Sequence, residues 1–294
     1  MKNLKAILVS VVAVLMVSCG TTRTVPLTGR QQNLMVEDGQ ILSLATQQYQ
    51  EFMKTAKLST NAANTAMVKR VGQNLANAVV NYLNTAGLSS EVANYKWTFN
   101  LVQDKQVNAW CMPGGLICVY EGLLPVTQDE ASLAIVLGHE IAHAVARHSA
   151  EQMSTQIKQQ YGLQIGAALL GQVGMGANTS SIIQAIAAQG FNFKNLKYSR
   201  NHENEADHMG LIFAAMAGYD PRVATTFWQR MAASKTTQTA EFLSDHPSDA
   251  TRIKNIQGWM PEALRYYNPK VASTVPTAKT TKTAKTLKVS SSKK

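Results

Sequence analysis

The segment TQDEASLAIVLGHEIAH, residues 127–143, decides how the rest of this chain is read. Thr127-Gln128-Asp129-Glu130 predicts a capped helix start: the Thr hydroxyl accepts from the N–H three residues on, and Glu130 reaches back. Two acids in the first turn suit the positive end of the helix dipole. From Asp129 the pattern stays helix-compatible past His148, with Leu133, Val136 and Leu137 placed to bury the helix. On that helix His139 and His143 lie one turn apart on the same face, so two imidazoles converge on one metal ion. Glu140 projects beside them, placed to act as a base on water rather than to bind the metal.

A catalytic zinc wants three protein ligands and an open position, so a third ligand is expected elsewhere. Residues 199–207, SRNHENEAD, supply candidates about 60 residues downstream. Glu203 and Asp207 are four apart and share a helical face, so one can ligate while the other orients a ligating imidazole. Glu205 points elsewhere on a helix, though on spacing alone it competes with Glu203. His202 and His208 read as surface histidines. His148, five after His143, falls off the metal face and is expected to be exposed.

Working outward, helices are expected over 37–53 and 63–83, the second with Val68, Val71, Leu75, Val79 and Leu83 on one face. Residues 95–102 alternate as a strand, and 107–111 and 116–120 read as two short strands around Pro113-Gly114-Gly115. Residues 162–177 are apolar but glycine-rich and too short to span a membrane; they read as a helix or flap packed on the protein. Further helices are expected over 195–217, 221–233 and within 244–257. Strands in the middle with helices on both sides indicate an α+β, mainly helical domain with a small sheet.

The ends differ in kind. Lys2 and Lys5 precede an apolar run to Val17, then Ser18-Cys19-Gly20: the pattern of a bacterial lipoprotein signal, with residues 1–18 removed and Cys19 lipidated. Residues 19–33 then form a tether, 34–268 the folded domain, and 269–294 a disordered basic tail. The formal charge of +10 falls to +2 once the six lysines of residues 271–294 and the two leader lysines are set aside. That ordinary surface argues against a nucleic-acid partner. Cys111 and Cys118 flank the Pro-Gly-Gly turn, and the sequence leaves a disulfide and two buried thiols equally open.

The 139–143 motif paired with Glu203-Asn204-Glu205-Ala206-Asp207 resembles the metallopeptidase family of HtpX and the type-I CAAX prenyl protease, in its soluble periplasmic lipoprotein branch. Pro26-Leu27-Thr28-Gly29-Arg30, Asn108-Ala109-Trp110 with Pro113-Gly114-Gly115, Gly218-Tyr219-Asp220-Pro221 and Ser244-Asp245-His246-Pro247 extend the likeness over roughly residues 25–260. The resemblance implies a gluzincin-like fold in which an edge strand precedes the zinc-binding helix. It also implies one zinc per chain on His139, His143 and Glu203, with Asp207 as orienting partner and Glu140 as general base. His246 and Arg252 are implied at the active site as catalytic residues: the His either caps the zinc in a latent form or polarises the substrate carbonyl, and the Arg holds it in place or donates to the oxyanion. The substrate is expected to add a strand along Gly114, Gly115, Leu116 and Ile117. The activity so implied is endoproteolysis of misfolded or unassembled envelope proteins from a lipid anchor on the outer membrane. The rival reading is a periplasmic holdase that uses the same groove without cutting. Natural substrate and oligomeric state are not legible.

Overall fold

The computed structural model describes residues 20–169, 179–233 and 250–269. The expected leader, Cys19, residues 170–177 of the 162–177 segment, residues 244–249 with His246, and the basic tail beyond 269 lie outside the described residues. The described chain opens with a hairpin where a tether was expected: β1 (Thr21–Thr24) pairs antiparallel with β2 (Gln31–Leu34). Val25 in its loop is buried in the main core, which removes this segment from the category of free linker.

Helices α1 (Asp38–Thr55) and α2 (Ala62–Thr85) follow, with the five predicted apolar positions of α2 all buried. Three strands come next: β3 (Thr98–Val102), β4 (Ala109–Met112) and β5 (Leu116–Tyr120). Their order is β3-β5-β4, with β5 parallel to β3 and antiparallel to β4. The strand nearest the metal helix in sequence is therefore the central one, not an edge. Both of its sides are hydrogen-bonded within the sheet, and all five of its residues are buried. One face of the sheet packs on α2 and the helices that follow, the other on α1, which explains why Leu-Ile-Cys-Val-Tyr is apolar without alternation.

That same two-faced burial answers the cysteine question. Cys111 stands opposite Ile117 and Cys118 opposite Trp110, so the two thiols point to opposite faces of the sheet and into different apolar clusters. Both are free, because side chains on opposite faces cannot reach disulfide geometry. Gly115, at φ +79°, closes the turn between β4 and β5; a side chain there would meet the Trp97 ring at 2.4 Å.

Besides helical turns of three or four residues, the remaining elements are α3 (Glu130–Val145), α4 (His148–Leu169), α5 (Thr179–Ala188), α6 (Arg200–Met216), α7 (Val223–Ala233) and α8 (Ala250–Tyr266). The cap of α3 is Asp129, whose carboxylate accepts from the Ser132 N–H at 2.6 Å; Thr127 instead bonds back to the Leu124 carbonyl. The start of this helix is thus two residues later than the capping-box reading placed it. Its end is earlier too, since Arg147 takes a left-handed φ of +55° and breaks the chain into two helices. Arg147 is held there by Asp38, at 3.3 Å, and by Glu91, the two acids that also pair with Arg23 of β1. No described helix is long and apolar enough to cross a membrane.

Helices α3 and α6 cross with their backbones touching. A Cβ at Gly138 would lie 2.6 Å from the Gly210 carbonyl oxygen, and one at Gly210 would lie 2.6 Å from the His139 nitrogen. Only glycine at both positions lets the axes come this near. The crossing sits directly beside His139.

Candidate metal centre

The close crossing sets one turn of α3 against one turn of α6. His139 and His143 project from α3 with their Nε2 atoms 3.0 Å apart. Glu203, in the first turn of α6 behind the Ser199 cap, faces them with Oε2 at 3.4 Å from His139 and Oε1 at 3.4 Å from His143. Three ligand atoms lie within 4.8 Å of one another, all on buried side chains. Nitrogen and oxygen ligands at about 2.0–2.2 Å from a tetrahedral ion stand roughly 3.3–3.5 Å from one another, so the spacing fits a divalent cation with little rearrangement. Electrostatics agree. Burial draws the His139 imidazole down, but the Glu203 and Asp207 carboxylates outweigh it and hold it up at about 9. Burial wins at His143, which stays well below the ordinary histidine range. Positive charge is thus favoured where the two rings face Glu203, and a cation suits the same place.

The rings are fixed from behind. His139 donates from Nδ1 to Asp207 Oδ1 at 2.8 Å, so it is Nε2, facing Glu203, whose lone pair a metal would take in place of a proton. One turn separates Glu203 and Asp207 on α6, as their spacing required. Arg252 of α8 donates to the same Asp207 oxygen at 2.6 Å, lies 3.8 Å from Glu203, and rests its guanidinium on the Trp228 ring at 3.5 Å. It is buried at 3% exposure behind the ligands. There it braces Asp207 and Glu203 from behind.

His143 is held differently. Its Nδ1 meets Nδ1 of His148 at 2.8 Å, and Nε2 of His148 meets Glu205 Oε2 at 2.9 Å. The expected exposure of His148 is corrected: it is fully buried, because the break at Arg147 swings it back onto His143. Glu205 does point away from Glu203, but into this network rather than to solvent. Tyr198 stacks on the His143 ring at 4.1 Å between centroids, its hydroxyl bonded to Ser149. His202 is partly buried and stacks on His148, while His208 pairs with Glu262 at 2.7 Å on another side. The sequence carried no signal for His148 or Tyr198, since both depend on where α3 ends.

Glu140 is buried beside His139; burial pushes the Cys111 thiol and the Tyr198 phenol up, and the nearby Glu140 charge adds to both. Of the residues expected to line a bound strand, Ile117 is fully buried in the core. The Gly115 N–H donates to Met112, and its carbonyl accepts from Thr98. Gly114 lines a cavity that reaches His143, with Ile41, Leu42, Tyr95 and Pro113 as its apolar wall. An outer hollow of about 580 Å³ continues from it past Asn94, Lys96 and Leu116. Among the described residues β4 pairs only with β5, which leaves its other side as the sheet edge nearest α3.

The family described as Peptidase family M48 matches residues 62–260, a span from α2 into α8 that contains all three candidate ligands. The mitochondrial metalloendopeptidase OMA1 of Schizosaccharomyces pombe is 37% identical over 177 residues, 59% of this chain and 50% of that protein. The mitochondrial metalloendopeptidase OMA1 of Homo sapiens is 29% identical over 246 residues, 82% of this chain and 46% of that protein. A putative beta-barrel assembly-enhancing protease of Vibrio cholerae is 31% identical over 185 residues, 59% of this chain and 36% of that protein. The chain spans half or less of the length of these curated relatives.

Proposed function

Because this chain belongs to peptidase family M48, we propose that it is a zinc-dependent endopeptidase, with one zinc held by His139, His143 and Glu203. The observation that carries this reading is the meeting of those three ligand atoms within 4.8 Å, with Glu140 next to them on the same helix. Bound there, zinc supplies Lewis-acid polarisation of a carbonyl and brings the pKa of a water to about 7. Glu140 takes the proton from the attacking water at its carboxylate and passes it to the departing amine. Asp207 and His148 keep the two imidazoles in the tautomer that leaves Nε2 free. His246 is proposed as the donor to the oxyanion that develops. The substrate runs along the free edge of β4 and sends a side chain into the cavity bounded by Leu42, Tyr95, Pro113 and Gly114. In this arrangement Gly114 and Leu116 keep a substrate-side role, and Gly115 and Ile117 support the turn and the core.

The proposed substrates are misfolded or unassembled proteins of a bacterial envelope, cut by an enzyme anchored to the outer membrane through lipid on Cys19. The support is the export pattern of residues 1–19 and the likeness to the putative beta-barrel assembly-enhancing protease of Vibrio cholerae. The OMA1 relatives are named as mitochondrial, so location rests on the leader. A chain that only held its clients would have no use for a base at Glu140.

The test is zinc content and cleavage of an unfolded protein by the purified chain and by Glu140→Gln. Both proteins are expected to hold one zinc, with cleavage by the variant slower by about 10²–10⁴-fold. A wild-type chain that takes up no zinc overturns the reading. Equal cleavage by the two proteins removes Glu140 from its role.

A further inference from the structure

Thr28 and Arg30, in the loop of the N-terminal hairpin, end on the same carboxylate. Thr28 Oγ1 donates to Glu205 Oε1 at 2.6 Å, and Arg30 Nε donates to Glu205 Oε2 at 2.9 Å. These contacts join segments 177 and 175 residues apart. Glu205 is the far end of the hydrogen-bond chain that begins at His143. From this geometry we infer that Thr28 and Arg30 are positioning residues of the metal centre, which set the orientation of His143 and with it the affinity for zinc. The inference rests on the metallopeptidase reading above.

With Nε2 of His143 given to the metal, each bond in the chain has one direction. His143 turns Nε2 toward His139 and Glu203, so its proton sits on Nδ1 and is donated to Nδ1 of His148. That acceptor carries no proton, so His148 is protonated at Nε2 and donates to Glu205. Glu205 is thus the acceptor that fixes one tautomer and one ring orientation for both histidines. A carboxylate alone would be free to rotate; Thr28 and Arg30 take one oxygen each and pin its plane. Arg30 also grips Glu151 of α4 through both terminal nitrogens, at 2.9 and 2.7 Å, and so ties the helix of His148 to the helix of Glu205.

The loop is shaped for the task. Leu27 and Gly29 both adopt left-handed backbone, at φ +65° and +70°, and flank Thr28. The turn is closed by Val25 N–H to Arg30 carbonyl at 2.8 Å and Gly29 N–H to Val25 carbonyl at 3.0 Å. Leu27 N–H is anchored on the Tyr82 hydroxyl of α2 at 2.9 Å. A left-handed leucine is uncommon, and here it aims two side chains at one carboxylate. The hairpin precedes the residues 62–260 that the family matches. It is an outside brace on a site whose other imidazole, His139, is fixed directly by Asp207.

The experiment compares zinc affinity, read by competition with a chromophoric chelator, in the full chain and in Arg30→Gln and Thr28→Val. The visible absorption of the Co(II)-loaded proteins reports the ligand geometry. Arg30→Gln is expected to bind zinc about 10–100-fold more weakly, Thr28→Val less so, and both with altered Co(II) bands. Arg23→Gln serves as the control, because it cuts the hairpin's ion pairs to Asp38 and Glu91 without touching Glu205. It is expected to melt earlier and to bind zinc within about twofold of wild type. If Arg30→Gln does not fold, the milder Thr28→Val decides. Wild-type affinity and unchanged Co(II) bands in the Glu205-side variants overturn the inference, as does equal weakening in Arg23→Gln. A wild-type chain that binds no zinc overturns the metallopeptidase reading itself.

Discussion

Replacing Gly210 with alanine tests whether the metal centre depends on the backbone contact between α3 and α6. The new Cβ would stand 2.6 Å from the His139 nitrogen, 2.7 Å from the Gly138 carbonyl carbon and 2.8 Å from the His139 Cα. Ordinary contact begins near 3.4 Å, so the helices must part by about 0.8 Å. All the opposing atoms are backbone, so no side chain can swing aside. Overpacking of this kind costs about 1–3 kcal/mol. At about 2–4 °C per kcal/mol for a domain of this size, the melting temperature falls by ~4–8 °C for a mid-range cost. The parting also draws Glu203 and Asp207 away from His139 and His143, and a displacement well beyond the ~0.2 Å tolerance of a metal site weakens it. Zinc affinity is expected to fall on the order of tenfold. Calorimetry on the metal-free chain measures the first effect, and chelator competition the second. A Gly210→Ala chain that melts with wild type and binds zinc equally well refutes the argument.

The other expectations concern groups around that crossing. Arg252→Met leaves Asp207 as a buried charge without its guanidinium, so urea unfolding should show a loss of about 3–5 kcal/mol. A loss under about 1 kcal/mol would mean that Arg252 is not part of the buried network. Glu151 is held at about 2, against an ordinary 4.5, by His202 and Arg30 overcoming the cost of burial. Its stabilising contribution is therefore complete above pH 4.5 and lost as pH falls toward 2. The difference in melting temperature between wild type and Glu151→Gln should shrink over that interval; a difference that stays constant refutes the pairing. Cys111 and Cys118 should both alkylate in denaturant without reductant. Under native conditions both should react slowly, since burial pushes the Cys118 thiol up to about 12 and Cys111 upward as well. Recovery of a peptide linking the two through a disulfide would contradict their placement on opposite sheet faces.

Much of this molecule is legible along the chain because it is encoded by spacing within single elements. The four-residue interval in His139–His143 and again in Glu203–Asp207 is a property of one helix turn, whatever that helix packs against. The apolar stripe of α2 follows from the same local periodicity, and the bounds of β5 from a short apolar run after the Pro-Gly-Gly turn. The errors fall where spacing alone carries no information. Whether β5 is central or an edge depends on β3 pairing with it in parallel across the intervening β4, and the apolar run is compatible with either place. Whether His148 faces solvent or His143 depends on a left-handed Arg147, held by Asp38 and Glu91 from far along the chain. Arg252 reaches Asp207 only because α8 packs on α6.

The hairpin shows the division most plainly. Pro26-Leu27-Thr28-Gly29-Arg30 has no helical or strand period, and its composition suits a linker. It becomes part of the metal site because Thr28 and Arg30 find Glu205 across 177 and 175 residues of chain. Periodicity tells each element which face to bury. Partner choice among buried polar groups is settled by three-dimensional packing, where a carboxylate removed from water must find its donors wherever in the chain they lie.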